Sequence, residues 1–212
     1  METCVIFCAG EFDALAEPIG HNDYILAADG GLRHLQKLGL TPHGIIGDFD
    51  SLGYVPRGAA VFPVEKDDTD SMLAVRRGLE LGFRRFILYG ALDGSRFDHA
   101  VANLQTLQFL ADHGATGFLV GKNETALVIR NGFARFPAVP EGIVSVFCLG
   151  PEAKNVTIRN LHYGLENGTL TCGYPLGCSN HFIGKCAEIS CGNGSLLIIY
   201  PTKVGFPEVT PC

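Results

Sequence analysis

No stretch of this 212-residue chain approaches the roughly 20 consecutive apolar residues that a membrane-spanning helix needs. The first residues, METCVIFCAGEFDA, carry neither a basic start nor the apolar run of a signal peptide, so a cytoplasmic protein with no membrane partner is expected. The eight cysteines, at 4, 8, 148, 172, 178, 186, 191 and 212, include no C-x-x-C pair and no histidines at finger spacing. That argues against structural zinc and leaves most of them as small, reduced residues on strands. Neither half has the basic patch that nucleic-acid binding requires. Walker A and G-x-G-x-x-G sequences are missing too, so any phosphate cradle must be of another kind. Aspartate is absent from residues 124–212, which hold six acids and six bases, whereas residues 1–123 hold 16 acids against 10 bases. Such a break in character points to two units.

What is present is an ordinary globular composition, 47% hydrophobic and 18% charged, with net charge −6. It suffices for one large core or two modest ones. In the first half, short apolar runs at residues 4–9, 24–28, 44–47, 86–89 and 117–120 alternate with helical patterns at 32–38, 69–81 and 98–113, stopped by Gly39, Gly82 and Gly114. Alternation of this kind predicts an α/β domain with a mostly parallel sheet, residues 1–123. In the second half, strand-like runs at 126–130, 144–149, 156–160, 169–172, 187–190 and 196–200 are split by Gly, Asn and Pro, as in ENGT and GNGS. This reads as an all-β sandwich or barrel-like domain over residues 124–212, with the boundary near Gly121 to Glu124.

The chemistry should lie after the strands of the parallel sheet, where open α/β folds bind ligands. Those positions are repeatedly acidic. Asp29 follows YILAA and leads into Gly30 and Gly31. Asp48 and Asp50 follow an apolar run in IIGDFDS, and Asp67, Asp68 and Asp70 lie in EKDDTDS. Asp93 and Asp98 flank GSRF. In an extended segment Asp48 and Asp50 share a side while Phe49 turns away. Two unit charges ~4 Å apart near a protein surface repel by roughly 4 kcal/mol, so a cation or a solvated turn must offset the pair. Taken singly, these residues also suit plain structural roles: Asp29 as a turn former, Asp68 or Thr69 as a helix cap, Asp98 as another. Capping needs one acceptor per helix and does not account for DDTD or DFD together; magnesium held by carboxylates and substrate phosphates does. Lys66 and Arg96 supply nearby positive charge for a nucleotide triphosphate. DGGLRHL is a candidate phosphate cradle, with glycines that allow close approach and a helix start behind them.

The ordered set AADGG, GDFDS, KDDTD and GSRFDH, with GCSN near the end, resembles the thiamine pyrophosphokinase family over nearly the whole chain. The segment LHYGLENGTLTCGYPLGCSNHFIG is similar to the family's thiamine-side segment, with His162, Gly164 and His181 as departures from its usual form. The resemblance implies an ATP- and Mg²⁺-binding α/β domain and a β domain that helps bind thiamine. It also implies transfer of the pyrophosphoryl group of ATP to the hydroxyl of thiamine, giving thiamine diphosphate and AMP. Carried onto this sequence, Asp48, Asp50 and Asp70 would hold the metal, and Asp98 would hold the metal or orient the thiamine hydroxyl. Asp29, Gly30, Lys66, Asp67, Thr69 and Arg96 would meet ATP, and Tyr163, Ser179 and Asn180 would meet thiamine. Asp48, Asp50, Asp70, Arg96 and Asp98 form the implied catalytic set, and a homodimer with composite active sites is the implied assembly. A nucleotide hydrolase or nucleotidyltransferase would use the same carboxylates without thiamine, and a non-catalytic binding module would not need all of them.

Overall fold

The apolar runs of the first half fold as the strands β1 (Cys4–Phe7), β2 (Tyr24–Ala28), β3 (Gly44–Gly47), β5 (Arg85–Tyr89) and β6 (Thr116–Val120), with a short β4 (Ala60–Val61) that the sequence pattern does not signal. The computed structural model describes residues 2–47, 60–61, 67–94 and 96–211. Within these the chain divides into two units, Met1–Leu110 with Gly117–Lys122 and Ala111–Thr116 with Asn123–Cys212.

In the first unit the strand order is β6-β5-β1-β2-β3-β4, and β1 pairs parallel with β2 and β5, β2 with β3, and β3 with β4. All four residues of β1 are buried, the sign of a central strand covered on both faces. Helices α1 (Leu32–Leu38), α2 (Asp70–Glu80) and α3 (Phe97–Asp112) fall where the 3.6-residue periodicity places them. From β1 the chain builds outward through β2 to β4, then returns to the other side of β1 with β5 and β6. The strand order therefore reverses between β1 and β5, and the crevice beyond the carboxyl ends of those two strands is where a sheet of this kind binds ligands.

The second unit corrects an expectation. Its strands β7 (Glu124–Ala138), β8 (Ile143–Arg159), β9 (Leu165–Thr171), β10 (Gly177–His181), β11 (Cys186–Pro201) and β12 (Glu208–Pro211) pair antiparallel in one ladder, β10-β8-β11-β7, with β9 on β8 and β12 on β7. The sheet of the protein is thus mixed. Three strands of 15 to 17 residues replace the many short strands of a sandwich or barrel. GNGS is not a turn between two strands but a bulge within β11, where pairing to β7 skips from Cys191 to Ser195. Gly194 there has φ 117, which only glycine adopts without strain, and its N–H donates to Asn131 Oδ1 at 2.9 Å. Likewise ENGT lies inside β9. Among the described cysteines Cys4, Cys8, Cys148 and Cys191 are buried while Cys172, Cys178 and Cys186 are exposed, and all seven are thiols. No described helix is long and apolar enough to cross a membrane.

Candidate active site

Asp29 follows β2 in a left-handed conformation, φ 44, and opens the 3-10 turn Asp29–Gly31. A methyl group on Gly47 would lie 3.0 Å from Asp29 Cα, so the end of β3 runs directly against Asp29. Asp48 is the next residue in the chain; Asp48, Asp50 and Lys66 lie outside the described residues. The glycines of DGG serve packing as well as any anion: a Cβ on Gly31 would fall 1.8 Å from the Phe7 carbonyl oxygen, so only glycine lets this turn lie on the end of β1.

Asp70 is the first residue of α2, half-buried, and its carboxylate is close enough to the buried Cys8, just beyond β1, to act on its thiol. Burial first, and the Asp70 charge second, push the Cys8 thiol up to about 12. Cys8 is therefore a neutral packing residue and no nucleophile. Thr69 holds the helix end: its backbone is extended and its Oγ1 accepts the Met72 N–H at 3.2 Å, the cap that the sequence offered as its alternative role. Asp68 pairs with Arg76 at 2.8 Å, and Asp67 is exposed. Asp29 and Asp70 thus stand at the carboxyl edge of the parallel strands, beyond β2 and β1.

Arg96 and Asp98 lie at the start of α3, after β5, and pair with each other. Arg96 Nη2 and Nε donate to the two carboxylate oxygens at 2.6 and 3.2 Å. Hydrogen bonding to Arg96 holds the Asp98 carboxyl below the usual carboxylate range, and the reciprocal bond raises the guanidinium. Both side chains are exposed, so this pair is held in water, where a polyphosphate can exchange for Asp98 as the partner of Arg96. Lysine at position 96 keeps the charge but loses the planar fork. Arg96→Lys therefore separates charge from geometry at this position.

Asp93 serves structure instead. It bridges to Glu11, and its carboxylate accepts the Lys122 N–H.

On the second unit Tyr163 and Asn180 are joined directly. Asn180, 3% exposed, accepts the Tyr163 N–H at 2.9 Å through Oδ1 and donates Nδ2 to the Tyr163 carbonyl at 2.7 Å; the same Oδ1 accepts the His181 N–H. This amide is spent on backbone, so Asn180 fixes Tyr163 in place. Tyr163 is 62% exposed, with the His162 ring edge-on to its own at 4.5 Å. Ser179 is exposed and left-handed, φ 59, and its N–H donates to Ser145 Oγ at 3.0 Å. The other described positive-φ residues apart from glycine are Asn131, Asn155, Asn160 and Asn167, while Asp29 and Ser179 are both site candidates. Backbone held in this region costs on the order of 1–3 kcal/mol and clusters at functional positions.

Ser71 and Asn103 escape the sequence reading. Ser71 Oγ donates to Asn103 Oδ1 at 2.7 Å, Asn103 Nδ2 donates to the Ala91 carbonyl at 2.7 Å, and Ser71 Oγ lies 3.0 Å from Thr69 Oγ1. The available signal was a polar residue within a core stripe, since Asn103, Thr106, Leu107 and Leu110 repeat at helical spacing and all are buried. Among the described residues no group of three or more His, Cys, Asp or Glu side chains is gathered to hold a metal ion.

Comparison with known proteins identifies the family that the chain resembles. The family model "Thiamin pyrophosphokinase, catalytic domain" matches residues 15–118, and "Thiamin pyrophosphokinase, vitamin B1 binding domain" matches residues 136–196. The chain is 26% identical over 221 residues to the thiamine pyrophosphokinase of Bacillus subtilis, covering 95% of this chain and 100% of that one. The crystal structure of the Bacillus subtilis protein superposes with TM-score 0.83 at 23% identity, covering 94% of this chain and 99% of that one. A thiamin pyrophosphokinase family protein from Enterococcus faecalis superposes with TM-score 0.76 at 26% identity over 95% and 99% of the two chains. The Candida albicans thiamin pyrophosphokinase shares the fold at 15% identity, TM-score 0.73, over 94% and 88%.

Proposed function

The chain belongs to the thiamine pyrophosphokinase family, whose members move the pyrophosphoryl group of ATP onto thiamine, and we propose that this chain does so with the carboxylates at the carboxyl edge of its parallel strands. The thiamine hydroxyl oxygen attacks the β-phosphorus of ATP. The bond from that phosphorus to the α–β bridging oxygen breaks, AMP leaves with the oxygen, and the hydroxyl proton is released. The supporting observation is the placement of Asp29 and Asp70 beyond β2 and β1, beside the point where strand order reverses.

Magnesium is usually held through one or two carboxylates and substrate phosphates. Asp70, a carboxylate at a helix start on this edge, suits that role by type and place, with Asp48 and Asp50 as the further ligands. Once bound, the ion neutralises polyphosphate charge as it develops. Asp29, Gly30, Lys66, Asp67 and Thr69 bind ATP, and Arg96 meets the transferring phosphates. Asp98, beside Arg96, either joins the metal ligands or orients the thiamine hydroxyl once ATP has taken over its partner. In this reading residues 1–123 carry the ATP chemistry and residues 124–212 bind thiamine. Tyr163, Tyr174, Leu176 and Ile183, exposed apolar residues of the β unit, support a homodimer in which the β half of one chain completes the site of the other. A cytoplasmic location completes the reading.

Tyr163 presents its ring to the thiazolium cation, a contact worth about 0.5–2 kcal/mol. Tyr163→Leu keeps bulk and removes the ring, so thiamine KM is expected to rise about 3- to 20-fold while ATP KM stays put. Unchanged thiamine KM would return Tyr163 to a packing role. The function itself is tested by identifying the products: thiamine diphosphate and AMP in equal amounts support it, and ADP or free phosphate as the main product would refute it.

A further inference from the structure

The chain Thr69–Ser71–Asn103–Ala91 has a fixed direction. A carbonyl oxygen only accepts, so Asn103 must turn Nδ2 toward Ala91 and Oδ1 toward Ser71. Ser71 then spends its one proton on Oδ1, and the 3.0 Å contact between the two hydroxyls is made by the Thr69 proton. Thr69 Oγ1 also accepts the Met72 N–H. Its hydroxyl therefore offers a lone pair and no proton, a form that suits the cation accompanying a polyphosphate and not a phosphate oxygen itself. Ser71 and Asn103 are 8% and 6% exposed, and their hydrogen bonds tie the first turn of α2 to α3 and to Ala91, two residues past β5. That turn carries Thr69 and Asp70 beside the reversal of strand order.

We propose that Ser71 and Asn103 are positioning residues for the pyrophosphoryl transfer: they fix the rotamer and proton direction of Thr69 and the seat of Asp70, and neither touches substrate. This rests on the function proposed above. A helix start can drift while the helix stays folded, and displacement of a reacting group by about 1 Å costs on the order of 100-fold in rate. A merely structural role would lower stability without moving kcat.

The test compares Ser71→Ala and Asn103→Ala with Thr106→Val. Thr106 is a buried hydroxyl on α3 that, among the described residues, bonds within its own turn, to the Ala102 carbonyl at 3.1 Å. Three quantities are read in the full-length protein: kcat with KM for each substrate, melting temperature, and amide hydrogen exchange at residues 70–73. Both network variants are expected to lower kcat roughly 10-fold or more, with thiamine KM unchanged and exchange at 70–73 faster. Thr106→Val is expected to lower only the melting temperature. If Asn103→Ala does not fold, Ser71→Ala, which removes a single hydroxyl, carries the test. Unchanged exchange at 70–73, or faster exchange with wild-type kcat, would overturn the proposal. If the wild type itself releases no AMP in response to thiamine, the proposed function fails, and exchange at 70–73 still decides whether the network holds the helix start.

Discussion

Asp70→Asn is expected to lower kcat at least ~100-fold while the fold survives, because in the proposed site this carboxylate holds the cation that neutralises the polyphosphate, which supplies several kcal/mol of charge stabilisation, and each 1.36 kcal/mol is tenfold in rate. The substitution isolates charge from shape. Asparagine is nearly isosteric, Thr69 still caps α2, and the turn is still tied through Ser71 and Asn103. The loss of an acidic group from the first turn of α2 costs only about 0.3–1 kcal/mol of stability. Cys8 does not confuse the result, since burial alone is the larger cause of its raised pKa and keeps the thiol protonated in both proteins. The check is AMP release alongside circular dichroism and thermal melting. A variant with kcat within threefold of wild type would remove Asp70 from the reaction.

The second large effect falls on the fold. Gly31→Ala would place a methyl group 1.8 Å from the Phe7 carbonyl oxygen, 2.3 Å from its carbon and 2.9 Å from the Cys8 nitrogen. All three are backbone atoms of β1 or of the residue after it, so no side chain can rotate away. Overpacking against rigid neighbours costs about 3 kcal/mol or more here, which for a chain of this size lowers Tm by roughly 6–12 °C. Failure to accumulate as soluble protein is the extreme of the same result. A melting temperature within about 2 °C of wild type would mean that the Asp29–Gly31 turn does not rest on β1. Because that turn carries Asp29, the packing that Gly31 permits also sets where one of the candidate carboxylates sits.

The parallel unit was legible in the sequence because its signals are local. Short continuous apolar runs and period-3.6 apolar patterns, with glycine stops, place β1, β2, β3, β5, β6 and the three helices within a residue or two. The antiparallel unit was less so, for a physical reason. Gly192, Asn193 and Gly194 carry the same composition whether the chain reverses or merely kinks, and only the partners of β11 on either side decide for a bulge. At the site, acidic residues after strands could be read from the sequence, since the carboxyl edge of a parallel sheet is fixed by topology. The Arg96–Asp98 pair was not evident as a pair. Ser71 and Asn103 were invisible as partners because a hydrogen bond between residues 32 apart depends on how two helices pack. Asn180 was read as a ligand contact, and its buried amide is engaged by the Tyr163 backbone.

The central claim is that the carboxylate edge spends ATP only on thiamine. The measurement that addresses it most directly is AMP release from the wild-type protein with ATP, magnesium and thiamine together, and then with each omitted in turn. The account predicts AMP only in the complete mixture. Release of AMP or ADP at the same rate without thiamine would contradict it and leave a nucleotide hydrolase in its place.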